Sequence, residues 1–105
     1  MKKEFEVGAA LQSNTEYFAT KQIYHIYYKD TVSCSDEKYI SLRAEGTPEF
    51  NTFVFIKDKN NITIDFNGAT LIFHGKIQPF LVDNCENITI KLFQTFVSFI
   101  IYEAI

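Results

Sequence analysis

Few residues in this 105-residue chain have the type and spacing for chemistry. His74-Gly75-Lys76 is the most distinctive polar cluster. A histidine and a lysine flanking a glycine could offer hydrogen bonds and a positive charge to a polar ligand. The same tripeptide also reads as a turn at Gly75, with His74 and Lys76 at its exposed rim. Asp65 and Asp83 could share acid–base work if the fold brought their carboxylates together. Each follows an apolar run, however, and each reads as the cap of a turn. His25 lies within Gln22–Tyr28, where no carboxylate or cysteine stands at useful local spacing. It reads as a half-buried strand histidine rather than a ligand or base. Cys34 and Cys85 sit in no CxxC and near no histidine at metal-ligand spacing, so they read as two reduced thiols. A disulfide between them would need an oxidising compartment. No Ser/His/Asp set, glycine-rich phosphate loop or metal spacing is present. No catalytic, cofactor-binding or metal residue is therefore assigned, and His74 and Lys76 stand as a candidate substrate rim.

The elements that must position these residues follow from the pattern of apolar side chains. With 47% hydrophobic and 16% aromatic residues the chain is too apolar for disorder, and its length suits a single domain, 1–105. Val7, Ala10, Leu11, Tyr17 and Phe18 fit a 3.6-residue stripe, with Asn14 on the same face, and predict a helix within residues 1–20. Ile23, Tyr24, Ile26, Tyr27 and Tyr28 predict a strand. Residues 29–37 are loop-like, Tyr39–Leu42 predicts a short strand, and Ala44–Asn51, with Gly46 and Pro48, carries turn residues. From Thr52 onward, short Val/Ile/Phe/Thr runs alternate with Asn, Asp and Gly, which predicts β-structure with frequent turns.

The second half repeats itself. Residues 53–64 align with residues 79–90, and Asn-Ile-Thr-Ile recurs as Asn61–Ile64 and Asn87–Ile90. One reading is a parallel β-solenoid, with Ile62 and Ile64 stacked under Ile88 and Ile90, Thr63 and Thr89 pointing outward, and Asn61 and Asn87 stacked at a corner. The other is a β-sandwich, for which Asn67-Gly68, between Ile64 and Thr70, offers a plausible hairpin turn.

Residues 61–76, from Asn61-Ile62-Thr63-Ile64-Asp65 through Phe73-His74-Gly75-Lys76, resemble the early coils of right-handed parallel β-helix enzymes of the pectate-lyase-like superfamily. Together with Asp83-Asn84-Cys85-Glu86-Asn87-Ile88-Thr89-Ile90, they are most similar to glycoside hydrolase family 110, the exo-acting α-1,3-galactosidases. The close match covers about residues 53–91 and the looser one reaches back to Val7. The resemblance implies a mainly β fold: a short N-terminal capping helix region (1–20), then the first coils of a right-handed parallel β-helix (22–91). An apolar tail follows at 92–105. Phe66 stands where the motif usually has Gly, which implies an altered corner. Past Lys91 the similarity stops, and the run Leu92–Ile105 shows neither turn residues nor the repeat, as a frameshifted or truncated gene would. Family members are several times longer.

The chemistry implied is inverting hydrolysis of a terminal α-linked galactose by carboxylates about 6.5–9.5 Å apart. In the family these come from later coils, so none is carried over, and the chain by itself is expected to be inactive. No cofactor is implied. Asn61 and Asn87 also match the glycosylation sequon but are better explained as corner residues. Ten basic against thirteen acidic residues, without a basic stripe, argue against nucleic acid as a partner. The apolar tail is too short for a membrane-spanning helix, and no signal peptide is evident, although the full-length relatives would be exported. Carbohydrate is the implied partner, with self-association through an open β-helix end as a further expectation. The alternative is a stand-alone β-rich module that binds glycan or protein.

Overall fold

The computed structural model describes residues 1–34, 37–40, 50–92 and 97–100. Strands β1 (Lys2–Glu4), β2 (Thr15–Phe18), β3 (Ile23–Tyr27) and β4 (Val32–Cys34) are followed by a single-turn helix, α1 (Glu37–Ile40). Then come β5 (Phe50–Lys57), β6 (Asn60–Asp65), β7 (Thr70–His74), β8 (Gln78–Asp83), β9 (Glu86–Lys91) and β10 (Val97–Ile100). A 3₁₀ turn at Tyr28–Asp30 joins β3 to β4.

These strands form three small sheets, in the orders β1-β2-β6-β9, β10-β7-β3 and β4-β5-β8. Consecutive strands go to different sheets over most of the chain, so hydrogen bonding is between distant segments. Pairing is parallel throughout the first two sheets. In the third, β5 and β8 are parallel while β4 runs antiparallel to β5. The 26-residue spacing seen in the sequence is the register of one layer: Thr52 pairs with Gln78, Ile62 with Ile88 and Leu71 with Val97. The layer before it has another spacing. Thr15 pairs with Ile62 and Ile23 with Thr70, a separation of 47.

One core lies between the sheets. Alternate residues of β3, β6 and β7 are buried, as the two-residue period of a strand requires. Ile62 and Ile64 enter the core from the first sheet, Ile26, Leu71 and Phe73 from the second, and Ile56 from the third, all fully buried. Tyr17 and Tyr24 are buried with their hydroxyls satisfied. Tyr17 accepts the Gln12 N–H at 2.7 Å, and Tyr24 accepts those of Thr20 and Lys21 at 3.1 and 3.2 Å.

Four sequence expectations are corrected. No helix occupies residues 1–20: Tyr17 and Phe18 belong to strand β2, and Gly8 and Asn14, at φ +83° and +60°, lie in a region closed to an α-helix. The mainly β expectation thus loses its capping helix, and no regular solenoid is identified, since the layers differ in length and one sheet is mixed. Tyr39 and Ile40 are helical rather than extended, and Tyr39 buries its ring edge-on against Phe55, 5.6 Å between centroids. Of the expected turn at Ala44–Asn51, Phe50 and Asn51 belong instead to strand β5; its remainder, the rest of that expected strand and most of the tail lie outside the described residues. Within the tail, β10 keeps the 26-residue register against β7, a continuity that its lack of turn residues concealed.

The Asn67-Gly68 pair makes a corner, not a hairpin. Both residues have positive φ, +51° and +76°, as such a turn demands, but β6 and β7, which they join, belong to different sheets. Two further corners are held by stacked polar side chains. Asn14, Asn61 and Asn87 all have φ near +60°. Asn87 Nδ2 donates to Asn61 Oδ1, and Asn61 Nδ2 donates to Asn14 Oδ1, both at 2.9 Å. Asn84 Nδ2 donates likewise to Asp58 Oδ1 at 2.6 Å. Replacing the middle residue tests this ladder. Asn61→Gly keeps the backbone conformation but deletes two hydrogen bonds, and should cost about 1–2 kcal/mol in denaturant unfolding. A change under a few tenths would show that the ladder is ornamental.

Candidate functional site

The outward-facing positions of the second sheet carry the candidate site. On β3, Ile23, His25 and Tyr27 are exposed, between buried Tyr24 and Ile26. On β7 the matching outward residues are Thr70, Ile72 and His74, all partly buried. In the parallel register Tyr27 lies opposite His74, and His25 opposite Ile72. His25 and His74 are thus diagonal neighbours, close enough for long side chains to meet. His25 Nδ1 lies 2.8 Å from His74 Nε2. The Tyr27 ring stacks on that of His74, with centroids 4.3 Å apart and planes 9° apart.

The chain leaving β3 tightens the cluster. Asp30 Oδ2 accepts the Tyr27 N–H at 3.0 Å, and Lys29 Nζ lies 5.8 Å from the Tyr27 ring centroid, within cation–π range. Tyr28 turns toward the end of β7, where its hydroxyl accepts the Lys76 N–H at 2.7 Å. Its ring occupies the space beside Gly75: a Cβ built there would stand 2.6 Å from Tyr28 Cε2. Gly75 has φ +131°, a conformation that side chains rarely adopt. The glycine of His74-Gly75-Lys76 thus seats a tyrosine from 47 residues earlier in the chain.

This surface exposes His25, Tyr27, Tyr28 and Lys29 to a polar, uncharged or anionic ligand, while His74, its Nε2 against His25 Nδ1 and its Nδ1 buried, lies behind them. The two aspartates singled out in the sequence lie elsewhere. Asp65, at the end of β6, accepts the Asn67 N–H through Oδ1 at 2.8 Å and so caps the corner. Asp83, at the end of β8 in another sheet, accepts the Tyr39 hydroxyl through Oδ2. Each carboxylate serves its own turn or loop, and the fold does not assemble them. Cys85 is a free thiol, its Sγ 3.2 Å from the Asp83 carbonyl oxygen. The structure places His74 and Lys76 at one end of β7, as adjacent but separately held parts of the cluster.

His25 is the residue that sequence reasoning missed. Judged by local spacing it had no partner, because its partner, His74, stands 49 residues away, diagonally across the 47-residue register. A signal did exist. Asn14 stands the same distance before Asn61 as His25 stands before Ile72, so aligning the first corner asparagine with the second would have laid β3 beside β7.

Among the described residues no helix is long and apolar enough to cross a membrane, and no group of three or more His, Cys, Asp and Glu side chains could hold a metal ion. No known family profile matches the chain. A 40-residue stretch is 50% identical to the alpha-1,3-galactosidase B of Bacteroides thetaiotaomicron. That stretch is 38% of this chain and only 6% of the galactosidase. The chain is therefore similar, over a short segment, to part of a much longer glycosidase.

Proposed function

We propose that the chain corresponds to an early portion of a carbohydrate-active glycosidase. It contributes sugar contacts from the outer face of the second sheet and does not hydrolyse α-1,3-linked galactose by itself. The carrying observation is the 50% identity over 40 residues to an alpha-1,3-galactosidase, a stretch too long for chance agreement of strand-forming residues. The physical argument concerns carboxylates. Glycoside hydrolysis needs two, placed on opposite sides of the scissile bond. Asp65 and Asp83 are instead held at the ends of strands in different sheets. The ring cluster around His74 is suited to binding instead, since imidazole and phenol groups pair apolar faces with hydrogen-bonding tips.

The test uses the 105-residue chain with a glycan ending in α-1,3-linked galactose. Free galactose should not accumulate, while amide and imidazole NMR signals of His25, Tyr27, His74 and Lys76 should shift on titration. Release of galactose at a rate proportional to chain concentration would overturn the inactivity. Shifts absent from that face, or appearing only elsewhere, would overturn its assignment to sugar binding and favour an interaction module of another kind.

A further inference from the structure

The geometry points to a peptide-binding slot along the unpaired half of β5. We propose that this edge takes up a short extended peptide, parallel to β5, whose C-terminal carboxylate lies against Lys57 and Lys59. On one side β5 pairs with β8 from Thr52 to Lys57. On the other, β4 pairs only with Phe50, Asn51 and Thr52, and β4 is the outermost strand of that sheet. The stretch from Phe53 to Lys57 therefore has one edge without a strand neighbour among the described residues. Along a strand, successive residues aim their backbone groups at opposite edges. The Ile56 carbonyl faces the β8 side, where it accepts the Cys85 thiol at 3.5 Å, and the Asp58 N–H donates to the Asp83 carbonyl on that same side. Phe55 and Lys57 thus turn their N–H and C=O groups toward the free edge.

A cavity of about 400 Å³ lies there, between β5 and the loop that follows β1, a volume within the range of ligand sites. Leu11, Val32 and Phe55 form apolar walls, and Glu6, Lys57 and Lys59 supply the charges. The loop gives β5 no backbone hydrogen bond among the described residues, so it lines the slot without completing the ladder. This is the arrangement used in β-strand addition, with main-chain groups for affinity and walls for alternate side chains. At 3.3 Å per residue, Phe53 to Lys57 spans about 13 Å, room for about four residues of an incoming strand.

Charge sets the direction. Lys57 and Lys59 are exposed, and neither ammonium group is in an ion pair or hydrogen bond among the described residues. Together they outweigh Glu6. A short peptide parallel to β5 brings its carboxylate to these lysines, whereas an antiparallel one would bring an ammonium group to them.

The experiment titrates the 105-residue chain with an acetylated Ser-Val-Thr-Val peptide bearing a free C-terminal carboxylate, read by calorimetry and amide hydrogen exchange. One peptide should bind per chain. Exchange at the Phe55 and Lys57 amides should slow about tenfold when free peptide is at about ten times its Kd. Amidating the peptide's C-terminus, or making the Lys57→Gln/Lys59→Gln variant, should weaken binding about threefold or more, and Glu6→Gln should tighten it by up to about threefold. Two further peptides carry N-methyl groups at alternate residues in opposite phases. Only one of them should bind, because only one set of amides faces β5. Absence of binding, or binding without protection at Phe55 and Lys57, overturns the slot. Equal binding of the two methylated peptides overturns strand addition, as does octanoate binding as tightly as the peptide, which would make this a pocket for apolar carboxylates.

Discussion

Phe66→Ala should destabilise the chain by about 3–5 kcal/mol, a large share of the 5–15 kcal/mol, roughly, available to a domain of this kind. Phe66 is fully buried, and its ring meets those of Phe5, Phe80 and Phe53 at centroid distances of 5.1, 6.1 and 6.3 Å. Its backbone N–H donates to the Lys91 carbonyl at 3.0 Å, so the corner it occupies also ties two layers together. The site resembles one at which related motifs carry glycine, and that comparison sharpens the test. Phe66 is not among the residues of positive φ; the sharp part of the corner falls on Asn67 and Gly68. Glycine at 66 thus answers no conformational need here, and Phe66→Gly should be less stable than Phe66→Ala by a further 0.5–1 kcal/mol, roughly. Urea unfolding of the three proteins decides it. A Phe66→Gly variant as stable as the native chain would mean that the ring adds nothing and the corner prefers flexibility.

Gly75→Ala is expected to cost about 2–4 kcal/mol, through backbone strain and a lost hydrogen bond. The strain comes from φ +131°. The hydrogen bond is at risk because the new methyl would lie 2.6 to 2.9 Å from the outer atoms of the Tyr28 ring. That ring could swing away, but its hydroxyl accepts the Lys76 N–H, and moving it leaves this donor to water. A Tyr28→Ala/Gly75→Ala double variant separates the two causes. Removing the ring relieves the overlap and not the dihedral strain, so the methyl should cost less in that background than in the native one. Equal costs in both would place the whole effect in the backbone. A loss under about 0.5 kcal/mol in the single variant, the range of ordinary surface changes, would contradict the strain altogether.

How far the sequence discloses the fold depends on which layer is read. In β6 and β7 the alternation is regular: Ile62 and Ile64, then Leu71 and Phe73, are buried while their neighbours face outward. The repeated Asn-Ile-Thr-Ile also carries its register directly, because equivalent residues pair. The N-terminal third discloses much less. β1 and β2 are three and four residues long, too short for a two-residue period to stand out from a chance 3.6-residue stripe. β2 is a strand because β6 offers it a partner, a cause that lies 47 residues away, and β1 is one because β2 offers it a partner in turn. Gly8 and Asn14 did carry a warning, since both can adopt the positive φ that interrupts a helix. The candidate site follows the same division. His74, Gly75 and Lys76 were visible as a cluster, whereas His25, Tyr27 and Tyr28 join it only through the longer register.

The unequal registers bear on how this chain can change length over evolutionary time. The layer bounded by β3 and β5 carries the 3₁₀ turn, β4 and α1 in addition to its paired strands, and this excursion accounts for the difference between 47 and 26. Its two sides are anchored independently, by β4 against β5 and by Tyr39 against Phe55. Closing a 47-residue loop rather than a 26-residue one costs only about 0.5 kcal/mol in chain entropy. Added length between β3 and β5 should therefore be nearly neutral wherever Tyr28, Asp30, β4 and Tyr39 keep their contacts, whereas one residue added inside β6 or β7 would turn a whole row of side chains inside out. The excursion is where a graft or an affinity tag belongs, and where sequences sharing this strand order should differ most in length.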